Sequence, residues 1–135
     1  FRQGYEASGR KLAEVVSWEG TGTFAGGMEA FDRIITAQPD CDAIYFGSDL
    51  LAVGAMIRAR DRGIDIPGQI AIAGYGDLEF SSHVNPPLTS IHASDYETGK
   101  LAGTSLRKRL EGRASNDPVI QVPMRLVVRA STPPK

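Results

Sequence analysis

The stretch from Cys41 to Leu88, CDAIYFGSDLLAVGAMIRARDRGIDIPGQIAIAGYGDLEFSSHVNPPL, constrains the fold more than any other part of the chain. Ala43 to Gly47 is an apolar run without alternation, the pattern of a parallel strand covered on both faces. Ser48 then offers a hydroxyl to cap a helix running to about Arg62, with Leu50, Val53, Gly54 and Ile57 on one stripe. Gly63 stops that helix, and Pro67 reinforces the break. Gln69 to Tyr75, QIAIAGY, reads as a second buried strand, followed beyond its carboxyl end by the long loop GDLEFSSHVNPPL. A strand, a capped helix and a second strand in this order form the repeating element of a parallel sheet.

The flanking segments extend the pattern. Residues 2 to 13 read as a helix with Tyr5 and Leu12 on one face, and EVVSW, Glu14 to Trp18, as a short strand. Phe24, Met28, Phe31 and Ile35 fall on one face of a helix that Thr23 can cap and Gln38-Pro39-Asp40 stops. Thr89 to Ala93 makes a short strand. Ser94 and Glu97 have capping-box spacing at the start of a helix ending at Gly112, with Leu101, Ala102, Leu106 and Leu110 expected inward. VIQV and MRLVVR are extended segments around Pro123, and the tail from Arg129 onward, RASTPPK, reads as loose. The expected class is α/β, a parallel sheet with helices on both faces, in one domain over 1–135.

Bulk properties exclude several functions. A net charge of −1 leaves no overall positive field for a phosphate backbone, so these residues do not read as nucleic-acid binding. No apolar run approaches the roughly 20 residues that cross a bilayer. The single Cys41 cannot form an internal disulfide, which permits a cytoplasmic setting, and its place at the head of an apolar strand suits a buried thiol. His83 and His92 are separated and lack ligand spacing, so neither a metal nor a catalytic site is expected, and no cofactor is implied. The cluster Arg107, Lys108, Arg109 and Arg113 sits at a helix C-terminus, where the macrodipole favours cations.

In parallel sheets, ligands bind beyond the carboxyl ends of the strands. That rule selects Gly20 to Phe24, Gly47 to Asp49 and Tyr75 to Phe80. GTGTFAGG lacks both the Lys-Ser/Thr of a phosphate loop and G-x-G-x-x-G spacing, so a plain turn or a neutral ligand contact competes with nucleotide binding there. Ser48 and Asp49 can cap the helix, hydrogen-bond a polyol, or do both. Asp77 and Glu79 read either as paired carboxylates or as solvated loop acids.

From about Phe24 to Thr132 the chain resembles the ligand-binding core of the LacI/GalR family of bacterial transcription regulators. The resemblance rests on PDCDAIYFGSDLLAVGAM, RGIDIPGQIAIAGYGD, NPPLTSIHASDYETGKLA and MRLVVRAST in that order, over about four fifths of the chain. It implies the C-terminal subdomain of a periplasmic-binding-protein-like type I fold, with residues 124–132 crossing the hinge to a first subdomain. Neither that subdomain nor the family's helix-turn-helix headpiece is found in these 135 residues. The opening FRQGYEASGRKLAEVV reads as the middle of a helix, as in a piece of something longer.

In that family a small molecule, commonly a sugar, binds between the subdomains and alters operator affinity. Carried over by position, the resemblance implies an effector site at Ser48, Asp49, Tyr75, Gly76, Asp77 and Phe24. The family's usual acid is replaced by Gly76, so either Asp77 takes its place or the effector is itself anionic. The AGYGD pattern resembles the gluconate-repressor branch, which points to a sugar acid. The family's aromatic platform aligns with Gly22, leaving Trp18 or Phe24 as substitutes, and its ligand-gripping Arg falls at Phe1, beside Arg2. Family dimer surfaces fall on the Leu50–Arg62 helix and the Ser81–Val84 loop. Val53, Met56, Ile57 and Val84 are then partly exposed in one copy, against the alternative that all four are core. The MRLVVRAST strand is expected to lack its sheet partner, which leaves an exposed edge.

The resulting expectation is a non-enzymatic effector-sensing and dimerisation part of a repressor, reaching operator DNA only through a headpiece. A periplasmic sugar-binding protein of an uptake system is the alternative. An enzyme of flavodoxin-like or nucleotide-binding architecture is a third, which requires flavin or nucleotide binding at GTGTFAGG.

Overall fold

A computed structural model describes residues 2–9, 12–13, 15–113 and 119–132. The elements in chain order are α1 (Arg2–Ala7), α2 (Phe24–Ala37), β1 (Ala43–Tyr45), α3 (Asp49–Asp61), β2 (Ala71–Gly76), a 3-10 turn (Glu79–Ser82), β3 (Thr89–His92), α4 (Asp95–Leu110) and β4 (Arg125–Val127). The four strands form one sheet in the order β1-β2-β3-β4. β1, β2 and β3 are parallel, with Ile44 opposite Ile72 and Gly74 opposite Ser90, and β4 is antiparallel to β3. The class is the α/β arrangement expected from the sequence, with one antiparallel strand added.

Local chemistry accounts for the helix ends. Thr23 Oγ1 accepts from the Gly26 N–H at 3.2 Å, and Ser48 Oγ accepts from the Leu50 N–H at 3.3 Å, satisfying amides that a helix leaves unpaired in its first turn. Gly63 takes φ +70, the left-handed conformation that ends α3 without strain. Ser94 makes no side-chain cap, so the spacing Ser94-x-x-Glu97 does not close a capping box. Its ψ of 70 lies outside the extended region from which an N-cap hydroxyl reaches back to the first turn.

The core lies where α2 and α3 meet each other and the sheet. Phe31, Ile72 and Leu88 are fully buried, and Ile44, Phe46, Ala52, Ala55 and Ala59 join them. Burial alternates along β2, with Ile72 and Gly74 buried and Tyr75 exposed, so the apolar run QIAIAGY is not uniformly covered. The two helices approach closely because their contact is glycine. A Cβ on Gly54 would collide with the Phe24 carbonyl, and one on Gly27 with the Leu51 carbonyl. Cys41 is half-buried; burial pushes its thiol pKa up, and Sγ contacts the Ala43 carbonyl at 3.3 Å.

Several expectations are corrected. The first helix ends at Ala7, with Gly9 at φ +77 turning the chain, and Val15 to Trp18 make no strand because none of the four strands pairs with them. The remainder of those two segments, Arg10, Lys11 and Glu14, lies outside the described residues. Helix α4 buries no residue: Ala102, Leu106 and Leu110 are exposed and Leu101 half-buried, so its apolar stripe finds no cover among the described residues. The MRLVVR segment does have a partner, since Ile91 pairs with Leu126.

Of the tail read as loose, Arg129 to Thr132 is ordered by its contacts, and Pro133 to Lys135 lie outside the described residues. Ser131 is fully buried: its Oγ donates to the Ile72 carbonyl at 2.6 Å and accepts from the Thr89 N–H at 2.8 Å. Its N–H donates to the Pro87 carbonyl, and its own carbonyl accepts from the Ile72 N–H, each at 2.9 Å. It thereby joins β2 to the start of β3.

Alanine at Gly54 and at Gly103 should act in opposite directions. In an open helix position, such as Gly103 with nothing within 4 Å of its Cβ, alanine is worth up to about 1 kcal/mol. Gly54→Ala should instead destabilise, by about 1–3 kcal/mol, because backbone must move to admit the methyl group. Urea unfolding of the two variants beside the parent measures both signs.

Candidate functional site

The site is built at the carboxyl ends of β1 and β2, and its foundation is a buried acid. Asp49 begins α3 directly after the Ser48 cap, where the helix N-terminus favours negative charge. Its side chain is fully buried and its two oxygens are spent within the protein. Oδ2 accepts from the Leu78 N–H at 2.9 Å and from Ser81 Oγ at 2.6 Å, and Oδ1 accepts from Ser90 Oγ at 2.6 Å. One carboxylate therefore joins α3, the loop after β2, and β3. Gly74 makes room for it, since a Cβ there would strike Asp49 Oδ1. Placed among the effector contacts on sequence, Asp49 has no solvent-facing surface with which to touch a ligand; it positions the loop that does face outward.

The turn that follows β2 has an unusual backbone. Gly76 takes φ +124, and Asp77, at φ +54, is the described non-glycine residue in the left-handed region. Three contacts hold it there. The Asp77 N–H donates to Ser90 Oγ at 3.0 Å, Arg129 Nη2 donates to Oδ1 at 2.6 Å, and His92 Nδ1 lies 3.1 Å from Oδ2. Burial alone pushes the Asp77 carboxyl pKa up, but the Arg129 and His92 hydrogen bonds and charges outweigh it and leave the pKa below the ordinary carboxylate range. The carboxylate that sequence reading offered to ligand hydroxyls is thus engaged on both oxygens.

What remains open at this edge is aromatic and neutral. Tyr75 is 36% exposed and Phe24 41%, while the Ser48 hydroxyl is half-buried and Gly47 exposed. Phe24 meets Phe80 edge to face, with ring centroids 5.7 Å apart, so the start of α2 touches the loop after β2. The three places selected by the strand-end rule are therefore neighbours: Phe24 contacts Phe80, and Asp49 binds Leu78 and Ser81. Trp18 Nε1 donates to the Thr21 carbonyl at 3.1 Å, with the Arg33 guanidinium 6.0 Å from its ring centroid, which folds the GTGT loop against α2. Tyr45 stands beside this edge; burial pushes its hydroxyl pKa up, and Tyr75 and Asp49 add to the shift. Phe1, aligned with the family's ligand-gripping Arg, lies outside the described residues.

Sequence reasoning missed Arg129, Ser81, Ser90 and the engagement of His92. All four act through contacts between residues 13 to 52 positions apart, which no local pattern encodes. Of the four residues read as dimer surface or as core, two are buried and two are partly so. Val53 and Met56 are 5% exposed each and belong to the core, because α3 turns that stripe onto α2 and the sheet. Ile57 and Val84 are half-buried against it. A hollow of about 310 Å³ lined by Ile35, Pro39, Cys41, Ile64 and Ile70 lies at the amino ends of β1 and β2, away from the aromatic edge.

Two measurements probe the acids. Asp49→Ala should cost about 3 kcal/mol or more in urea unfolding, since it leaves two hydroxyls and an amide without their acceptor. For Asp77, a depressed folded pKa contributes stability that is complete above the unfolded carboxyl value of about 3.9 and is lost as pH falls through the lower folded value. Asp77→Asn should therefore be less stable than the parent at neutral pH and show a shallower loss of stability below about pH 4.

With this geometry in view, comparison with known proteins places the chain. Residues 1–132 match the periplasmic binding protein-like domain family. Catabolite control protein A of Priestia megaterium is 29% identical over 132 residues, covering 98% of this chain and 40% of that protein. The HTH-type transcriptional regulator GntR of Pseudomonas aeruginosa is 34% identical over 106 residues, covering 78% and 31%. Among solved structures, the transcriptional regulator CelR–cellobiose complex superposes with a TM-score of 0.87 at 29% identity, covering 96% of this chain and 40% of that one. The GntR regulator of Chromobacterium violaceum does so with a TM-score of 0.83 at 29% identity, covering 97% and 49%. The chain spans between 31% and 40% of the length of these two curated relatives. A match over nearly every residue, joined to the fold and to regulators of the LacI type on both sequence and structure, shows that the chain belongs to the periplasmic binding protein-like family in its LacI-type form.

Proposed function

We propose that this chain is the effector-sensing part of a LacI-type transcriptional repressor, and that its effector is a sugar or sugar acid bound at the carboxyl edge of β1 and β2. The observation that carries the reading is the convergence of Phe24, Ser48, Tyr75 and Gly76 on one edge, with exposed aromatic surface beside a half-buried hydroxyl. Aromatic faces and neutral hydrogen-bonding groups suit the alternating apolar and hydroxyl surfaces of a sugar. Asp49 and Asp77 are both engaged inside the protein and Gly76 carries no acid, so these three positions offer a carboxylated sugar no free negative charge. The resemblance of AGYGD to the gluconate-repressor branch supports the acid, and the solved CelR–cellobiose complex supports sugar recognition in general.

In this reading the ligand binds one of two conformations more tightly and shifts their populations. The protein works as a homodimer in the cytoplasm, without enzymatic activity. Operator DNA is reached through a headpiece outside these residues, and residues 124–132 cross to a first subdomain. Ile57 and Val84 contribute to the dimer face. Relatives named as transcription regulators support sensing over a periplasmic uptake protein. No helix among the described residues is long and apolar enough to cross a membrane.

Calorimetric titration of the protein together with its first subdomain, with D-gluconate and with cellobiose, tests the effector class. Saturable heat with either supports sugar sensing, and heat with gluconate alone selects the acid. Tyr75→Ala should weaken that binding about ten-fold, the loss of one well-placed aromatic contact, while changing stability by less than about 0.5 kcal/mol because the ring is exposed. Undiminished affinity in Tyr75→Ala would remove Tyr75 from the site.

A further inference from the structure

We propose that Arg129 is a positioning residue for the effector edge, clamping the Gly76–Leu78 turn to the closing segment of the chain. Its main chain is fixed first: the Arg129 N–H donates to Thr89 Oγ1 at 2.8 Å, and Thr89 Oγ1 lies 3.0 Å from the Arg129 carbonyl. From that base the guanidinium forks. Nη1 donates to the Leu88 carbonyl at 2.7 Å and Nη2 to Asp77 Oδ1 at 2.6 Å, with the side chain only 19% exposed. A planar fork holds two acceptors at a set spacing, which a lysine ammonium on a flexible stem does not.

Docking of the closing segment does not depend on this pair. Ser131 already ties it to Ile72, Pro87 and Thr89, and β4 pairs with β3. The Arg129–Asp77 pair reaches past those ties to the turn, where two consecutive residues, Gly76 and Asp77, have positive φ. A left-handed aspartate persists where its surroundings over-determine it, and such positions cluster at ligand clamps and switches. Arg129 closes that set of contacts from 52 residues away. A shift of the closing segment is therefore felt at the backbone beside Tyr75, and by reciprocity a ligand that moves the turn acts on the segment. The effect on effector binding rests on the sensing reading; the clamp on the turn does not.

The two parts separate experimentally in this chain. The backbone amides of Asp77 and Leu78 donate to Ser90 and Asp49, so their hydrogen exchange reports the turn, while the Ile72 amide, which donates to the Ser131 carbonyl, reports whether the closing segment stays docked. Asp77→Asn keeps a residue tolerated at positive φ and removes the charge, and Arg129→Lys keeps the charge and removes the fork. Each should speed exchange of the two turn amides about ten-fold, the size expected for one charge-assisted hydrogen bond, with Ile72 unchanged. The double variant should add little to either single one. Additive effects, or equal acceleration at Ile72, would overturn the clamp. In parallel, D-gluconate titration of the protein together with its first subdomain, as parent and as Arg129→Lys, should show about ten-fold weaker binding in the variant; equal affinity overturns the effector role and leaves the clamp standing. A parent that binds neither gluconate nor cellobiose refutes the sensing reading for those sugars, and the exchange data then decide the clamp alone.

Discussion

Burying a carboxylate costs several kcal/mol unless its oxygens are met by donors, and Asp49 meets that demand with groups from three different parts of the fold. The Leu78 amide and the Ser81 hydroxyl come from the loop after β2, and the Ser90 hydroxyl from β3. Its place in the first turn of α3 adds the favourable field of the helix N-terminus. The need to satisfy this one acid fixes how the loop leaves the sheet. The aromatic edge inherits its geometry from that constraint, because Phe80 meets Phe24 from the same loop.

A second layer of charge sits on the first. Ser90 Oγ donates to Asp49 and accepts from the Asp77 amide, so the two acids share one hydroxyl. The Asp77 carboxylate in turn pairs with Arg129 through one oxygen and lies against His92 Nδ1 through the other. The network runs from the start of α3 through β3 to the closing segment. Polar networks of this kind specify one geometry when every member is satisfied. Solvent-facing contact is left to residues outside the network, among them Tyr75 and Ser48.

The parts of the fold that sequence revealed are those encoded by near neighbours. Thr23 and Ser48 cap their helices as their positions imply, Gly63 ends α3, and the order of strands and helices follows from the apolar runs. The site was legible only in outline. The strand-end rule selected three loops that the structure brings together, but it cannot tell an acid facing solvent from one facing inward, because Asp49 and Ser48 are adjacent in sequence and differ only in which way the first helical turn points them. The inward stripe assigned to α4 failed for a related reason: periodicity identifies an apolar face without identifying what covers it. The closing segment read as loose because Ser131 and Arg129 owe their order to partners far away in sequence, and small polar residues near prolines carry no local signal of burial.

The bond from Ser131 Oγ to the Ile72 carbonyl joins residues 59 positions apart. Chains are made at about 5–20 residues per second, so β2 leaves the ribosome several seconds before the residue that completes its hydrogen bonding. During that interval β1 and β3 can pair with β2, but the Ile72 amide and carbonyl, just before the register with β3 begins, still lack their partner, and bonding across such a separation carries a loop-closure cost that slows folding. Translation speed between the codons for Ile72 and Ser131 is thereby built into how promptly this part of the sheet is completed.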